Sequence, residues 1–182
     1  MRTLRDVTNF VGEQPLLMAL LQTIATLGIH DCWIGAGVIR NAVWDYLHDH
    51  PVQLALGSDV DVVYCDHRNA NSERDLEIQR RLANDWTGIP WSVRNQARMH
   101  ERNGDAPYRD SEDAIQYWPE TATAIAARLW GGQVQIIAPH GVDDLLHMIV
   151  RPTPAFRTKM SVYERRLASK DWAQRWPRLT FL

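Results

Sequence analysis

The sequence predicts a mixed α/β or α+β fold, one mixed β-sheet flanked by helices, and three observations support it. Apolar residues recur at helical spacing in several segments. Short β-branched and aromatic runs of strand length interleave with them, and glycine or proline closes most of these runs. The composition agrees: 182 residues with 45% hydrophobic and 23% charged side chains suit a globular chain with a sizeable core and exclude a disordered or fibrous one. No apolar run approaches membrane-spanning length, and the first residues contain no secretory apolar core. Cys32 and Cys65 are the only thiols, too few for a disulfide framework, and read as free thiols. These features predict a cytoplasmic protein without membrane contact.

The elements follow in order. Leu17, Leu20, Leu21, Ile24 and Leu27 predict an amphipathic helix over 14–28, ending at Gly28. Cys32-Trp33-Ile34 is a short strand stopped by Gly35-Ala36-Gly37. Ile39, Ala42, Val43, Tyr46 and Leu47 mark the buried face of a second helix that closes before Pro51. Val60–Tyr64 is a strand, 72–86 a charged helix with Ser72 as its cap, and Trp91–Arg94 a third strand. Residues 95–120 are polar, with one short helix over 111–117. Two runs, 123–129 and 133–138, predict a hairpin across Gly131-Gly132. A short helix over 142–148 follows Gly141, where Asp143 and Asp144 suit its N-terminal dipole. Arg151-Pro152-Thr153-Pro154 breaks the chain before a last amphipathic helix over 157–172.

That break divides the charge. Residues 1–150 carry 12 basic and 20 acidic side chains, whereas residues 151–182 carry eight basic and two acidic ones, a net +6. The expected organisation is a domain over 1–154 with a basic helical segment, 155–182, packed on it. That segment either docks on the acidic body or contacts nucleic acid.

The chemistry concentrates in two motifs. In Gly57-Ser58-Asp59-Val60-Asp61-Val62, strand alternation puts Asp59 and Asp61 on one face and the valines on the other. Two carboxylates one pleat apart repel each other unless a cation intervenes, and Mg²⁺ is typically held by one or two carboxylates together with phosphate oxygens and water. Upstream, Gly35 and Gly37 sit at a strand-to-helix junction where backbone N–H groups can meet a phosphate, with Arg40 and Asn41 in the first turn beyond. Asn95, Arg98 and His100 leave the third strand and form a candidate cleft wall. The seven histidines show no zinc spacing, and neither cysteine has a neighbouring histidine placed to make it a nucleophile.

Strand, glycine turn, helix and paired aspartates in this order resemble the polymerase-beta-like nucleotidyltransferase superfamily. More closely, the chain is similar to a bacterial nucleotidyltransferase family of largely unknown substrate. Trp33–Asp45, Asp59–Tyr64, Trp91–His100, Pro107-Tyr108-Arg109, Ala138–Leu145 and Arg151–Pro154 carry the resemblance. It implies transfer of a nucleoside monophosphate from an NTP to a small-molecule, RNA or protein acceptor, with pyrophosphate leaving. Asp59 and Asp61 would be catalytic and hold Mg²⁺ or Mn²⁺. Gly35, Gly37, Arg40, Asn41, Asn95, Arg98 and His100 would contact substrate. Two departures stand out: the turn reads Gly-Ala-Gly, and no later strand supplies a third acid, so Asp110, Glu112 or Asp113 would have to fold back. A non-catalytic nucleotide- or RNA-binding module with this fold is the alternative.

Overall fold

The computed structural model describes residues 1–54 and 59–182, so Gly57 and Ser58 of the aspartate motif lie outside the described residues. The main sheet has the order β3-β2-β1-β4-β5, formed by β1 (Cys32–Gly35), β2 (Val60–Tyr64), β3 (Trp91–Asn95), β4 (Ala126–Trp130) and β5 (Gln133–Ile137). Central β1 runs antiparallel to both β2 and β4, whereas β2 and β3 are parallel. The mixed sheet flanked by helices matches the expected class.

Helices α1 (Leu4–Glu13), α2 (Pro15–Ala25), α3 (Gly37–Leu47) and α4 (Ser72–Asp85) contribute with one sheet face to the main core. Helix α1 was not legible as a periodic element; Thr3 and Asp6 form a reciprocal capping box that starts it, and Val7, Phe10 and Val11 bury its inner face. Asn71, not Ser72, caps α4, because its side chain accepts from Glu73 N. Ile34, Val60, Val62, Trp91 and Val93 lie in this core. On the opposite face Trp33, Val63, Ala124, Ala126 and Ile115 make a second, smaller cluster. Trp118 and Ile137 pack against it. Tyr46, expected on the buried face of α3, is 51% exposed with its ring against Phe10, since the core side of that turn is filled by neighbouring residues.

The polar stretch after β3 holds two short helices, α5 (Met99–Asn103) and α6 (Ser111–Ile115). Strand β4 starts three residues later than expected, because Thr123 and Ala124 turn back onto the Glu120 carbonyl. Helix α7 (Asp143–Leu146) carries Asp143 and Asp144 in its first turn; Asp144 also accepts from the Thr121 hydroxyl and pairs with Arg151.

The last stretch is not one helix over 157–172 but α8 (Met160–Ala168) and α9 (Trp172–Arg175), with the chain turning at 169–171 where the Ser169 hydroxyl bonds back to the Arg166 carbonyl. Trp172 and Trp176 enter the main core against Trp44, and β7 (Thr180–Phe181) pairs with β6 (Ile149–Val150). The basic segment therefore docks on the acidic body. Arg175 and the Trp176 indole N–H both donate to buried Asp45, Arg166 grips buried Glu120, and Lys159 meets Asp105.

Gly35 is the tightest of the described glycines. A Cβ there would stand 2.4 Å from Cη2 of Trp118. Gly35→Ala is expected to destabilise by about 1–3 kcal/mol through overpacking. Thermal melting checks this, and combining it with Trp118→Leu should recover part of the loss.

Candidate active site

The topology converges the motifs at one end of the sheet. Because β1 and β2 are antiparallel, with Ile34 opposite Val62, the end of β1 and the start of α3 meet the beginning of β2. The same end receives the start of β4, where Gly35 pairs with Ala126, and Asp61 lies beside Ser92 of β3. Val60 and Val62 are buried in the main core, which by alternation puts Asp59 and Asp61 on the other face.

A cleft of about 740 Å³ opens there, within the range of small-ligand sites. Ala36, Gly37, Arg40 and Asn41 line one side, Asp59 and Asp61 the floor, and Arg166, Lys170, Asp171, Trp172 and Arg175 the wall contributed by the C-terminal segment. Helix α3 begins in this cleft at Ala36 with no side-chain cap, so its first N–H groups and its positive dipole end are available to an anion. Ala36 itself has φ 49° and ψ −115°, a left-handed geometry that costs an alanine about 1–3 kcal/mol and is held by its N–H bond to the Ile125 carbonyl at 2.9 Å.

Arg40 is only 4% exposed. Its guanidinium donates to Thr123 Oγ1 at 2.7 Å and to Asn41 Oδ1 at 2.8 Å, and lies 4.1 Å from the centre of the Trp172 ring. Burial lowers its pKa to about 10, opposed by the charges of Glu120 and Asp61, so it remains a cation at neutral pH. Asp61 is half-buried, and burial, reinforced by the Asp59 charge, raises its pKa; a Ser92 hydroxyl bond and the charges of Arg166 and Arg94 oppose the rise. Arg166, which alternation and spacing did not single out, reaches the cleft from α8 and is fixed there by Glu120 at 2.7 Å. Glu120 is completely buried, and its burial beside this arginine was not foreseeable from a loop position in the sequence.

Of the expected site residues, the cleft brings together Asp59, Asp61, Gly37, Arg40 and Asn41. Gly35 lies at the strand end just before it, its Cα hydrogens facing the Trp118 ring. Asn95, Arg98 and His100 do not line it. Tyr64 faces Asn95 in the register, so Asn95 shares the core face with Val62 and Val93. There its side chain bonds Asp66 and Asn69, while Arg98 pairs with buried Asp75 and His100 stacks edge-on against Tyr108. The even-numbered neighbours Arg94 and Gln96 take the cleft side instead, lining an adjoining cavity. Asp110 caps α6 and Asp113 accepts from Arg109 N, so neither folds back to the aspartates. Glu112, exposed in the first turn of α6, is not among the cleft-lining residues either.

Among the described residues no cluster of three metal-ligating side chains forms. The donor set still fits a hard divalent cation, because two carboxylates suffice where phosphate oxygens and water complete the shell. Cys65 has His67 beside it, its Sγ 3.4 Å from Nε2. Burial and the surrounding aspartates push that thiol up to about 12, which keeps it protonated and unsuited to nucleophilic work.

The sequence matches a family described as nucleotidyltransferase over residues 22–181. Among solved structures, a protein whose NMR structure reveals a CCA-adding enzyme head domain is 33% identical, with a TM-score of 0.86 over 98% of this chain and 95% of that one. A CCA-adding enzyme in complex with ATP is 15% identical with a TM-score of 0.58, over 100% of this chain and 44% of that one. The Bacillus stearothermophilus CCA-adding enzyme in complex with CTP is 19% identical with a TM-score of 0.50, over 84% and 38%. This chain thus spans less than half the length of those two enzymes, whose likeness is one of fold. A comparison with curated proteins finds no match.

Since folding raises the Asp61 pKa above its ordinary 3.8, its ionisation opposes folding: stability present below that value is lost as pH rises through the raised one. In EDTA, Asp61→Asn should leave the melting temperature nearly unchanged at pH 3.5 and raise it at pH 7, by up to about 1 kcal/mol or ~2–4 °C. Melting curves at the two pH values check the sign.

Proposed function

The chain belongs to the nucleotidyltransferase family, and from that premise we propose that it moves a nucleoside monophosphate from an NTP to an acceptor, with a divalent cation at Asp59 and Asp61. One observation carries the reading: two carboxylates at the start of a strand face an uncapped helix N-terminus and four cations across a single cleft.

Each part has a chemical use. Phosphoryl transfer asks little covalent chemistry of the protein; it asks that a polyanion be held in line and its charge offset. The N–H groups at the start of α3, Arg40, Lys170 and Arg175 would bind the triphosphate. Arg166 would sit beside the reacting phosphate, because the Glu120 bond holds it in the cleft that Asp61 also lines. Asp59 and Asp61 would hold Mg²⁺ or Mn²⁺, and the cation, when bound, supplies charge neutralisation at the phosphates. Trp172 over Arg40 excludes water from one side of the guanidinium and strengthens its field. In the reaction the acceptor oxygen bonds to the α-phosphorus as the bond from that phosphorus to the β-phosphate oxygen breaks. Pyrophosphate leaves, and the acceptor proton passes to water.

The alternative of an RNA-binding module draws on the basic C-terminal segment. Four of the seven cations of residues 155–182 pair with carboxylates of the chain, which leaves Arg157, Arg165 and Lys170 without such partners among the described residues. Lys170 lines the cleft itself. The segment therefore supports a cleft wall better than a free basic tail.

Thermal melting tests the proposal, because a ligand that binds only the native state stabilises it. Mg²⁺ with an NTP, each at millimolar level, should raise the melting temperature more than either alone. Asp59→Asn and Asp61→Asn should each abolish the joint shift and lower turnover at least ~100-fold. No shift with any of the four NTPs would overturn the reading.

A further inference from the structure

A second cavity, of about 230 Å³, adjoins the first and shares Ala36, Asp61 and Arg166 with it. Asp61 lines both cavities. In-line displacement puts the entering oxygen and the leaving pyrophosphate on opposite sides of the α-phosphorus. With the triphosphate along the cations of the larger cleft, the smaller cavity is the adjoining space from which an acceptor can meet a phosphorus held at Asp61.

The lining of the smaller cavity states what it can hold. Trp118, Met99, Val63 and Pro119 form its apolar walls, and Gln96, Asn103 and Thr123 offer amides and a hydroxyl. Its two cations differ. Arg166 is bound by buried Glu120, whereas Arg94 is exposed on β3, bonds the carbonyl of Val93 and has no carboxylate partner among the described residues. Nearby cations are paired as well, Arg98 with Asp75 and Lys159 with Asp105. One unpartnered guanidinium at the cavity is a site for one anionic group, not a basic track for the successive phosphates of a polymer.

We propose, resting on the nucleotidyl-transfer reading above, that this cavity is the acceptor subsite and that the acceptor is a small hydroxylated molecule with a flat or apolar body and one anionic group. The flat body lies against Trp118, the anion meets Arg94, and the hydroxyl points to Asp61. The volume is below that of a typical drug-sized site, which limits the enclosed part to about one aromatic ring or sugar with its charged group.

The test uses phenyl phosphate as the probe and the full chain labelled with ¹⁵N, observed by the indole N–H resonances. Those of Trp118 and Trp172 are identified with Trp118→Phe and Trp172→Phe. A non-hydrolysable ATP analogue with Mg²⁺ should shift Trp172. Phenyl phosphate added to that saturated complex should then shift Trp118 and leave Trp172 in place. Arg94→Gln, an exposed change, should weaken phenyl phosphate about tenfold, the size of one charge-assisted hydrogen bond, and leave the analogue's affinity unchanged. A shift of Trp118 that is unaltered in Arg94→Gln, or no shift, overturns the subsite while the analogue's binding stands. Tight binding at Trp118 of a six-nucleotide single-stranded RNA, with none by phenyl phosphate, also overturns it and assigns a polymeric acceptor. If the analogue fails to shift Trp172, the nucleotidyl-transfer reading falls instead, and the Trp118 response then reports a small-anion site independent of it.

Discussion

Arg40 carries a positive charge in a place with almost no water, and much of the architecture follows from making that tolerable. An unpaired buried cation is strongly unfavourable unless its N–H groups are bonded and opposite charge is near. Three separate parts of the chain meet that demand: Asn41 on the same helix, Thr123 in the turn before β4, and the Trp172 ring from the C-terminal segment. Glu120 and Asp61 add negative charge close by. The guanidinium is thus the point where the first helix of the motif, the sheet and the last helices are held together.

The same economy of charge shapes the cleft. Asp59 and Asp61 come with β2, whereas the cations come from α3 and the C-terminal segment, so opposite charges reach the cleft from different parts of the chain. Buried Asp45 draws in Arg175 and Trp176, and buried Glu120 draws in Arg166. Each pair anchors one end of the C-terminal segment, and between these anchors Lys170 and Trp172 face the cleft. A segment that reads in the sequence as a basic helix packed on the domain thus also lines the cleft. Its removal would expose Arg40 and uncover part of the main core, because Trp172 and Trp176 lie within it.

The shared likeness to a CCA-adding enzyme head domain extends over nearly the whole chain. In this cleft two aspartates stand without a third acid placed to share a metal ion with them among the described residues, and an arginine is fixed by a buried glutamate. The positive φ at Ala36 belongs to the same picture. Strain at the turn persists because the Ile125 carbonyl and the Arg40 network hold the backbone on both sides.

The mixed class, the three motif-bearing strands, helix α3 and the pairing of Asp59 with Asp61 were legible in the sequence, because each depends on local periodicity or on a turn residue that leaves the chain no other course. The clustering of Gly37, Arg40 and Asn41 with those aspartates followed from the order of the motifs. Tertiary structure decided the rest. Asn95 and Arg98 looked like substrate ligands, yet strand parity in a register that only β2 pairing defines turns Asn95 inward and Arg94 outward. Glu120 and Arg166 are 46 residues apart, as are no two members of any local motif, and their pairing exists only once α8 is laid across the sheet. Periodicity reports which face of an element is apolar; which charges meet across elements is set by long-range packing, and no short window of sequence contains both partners.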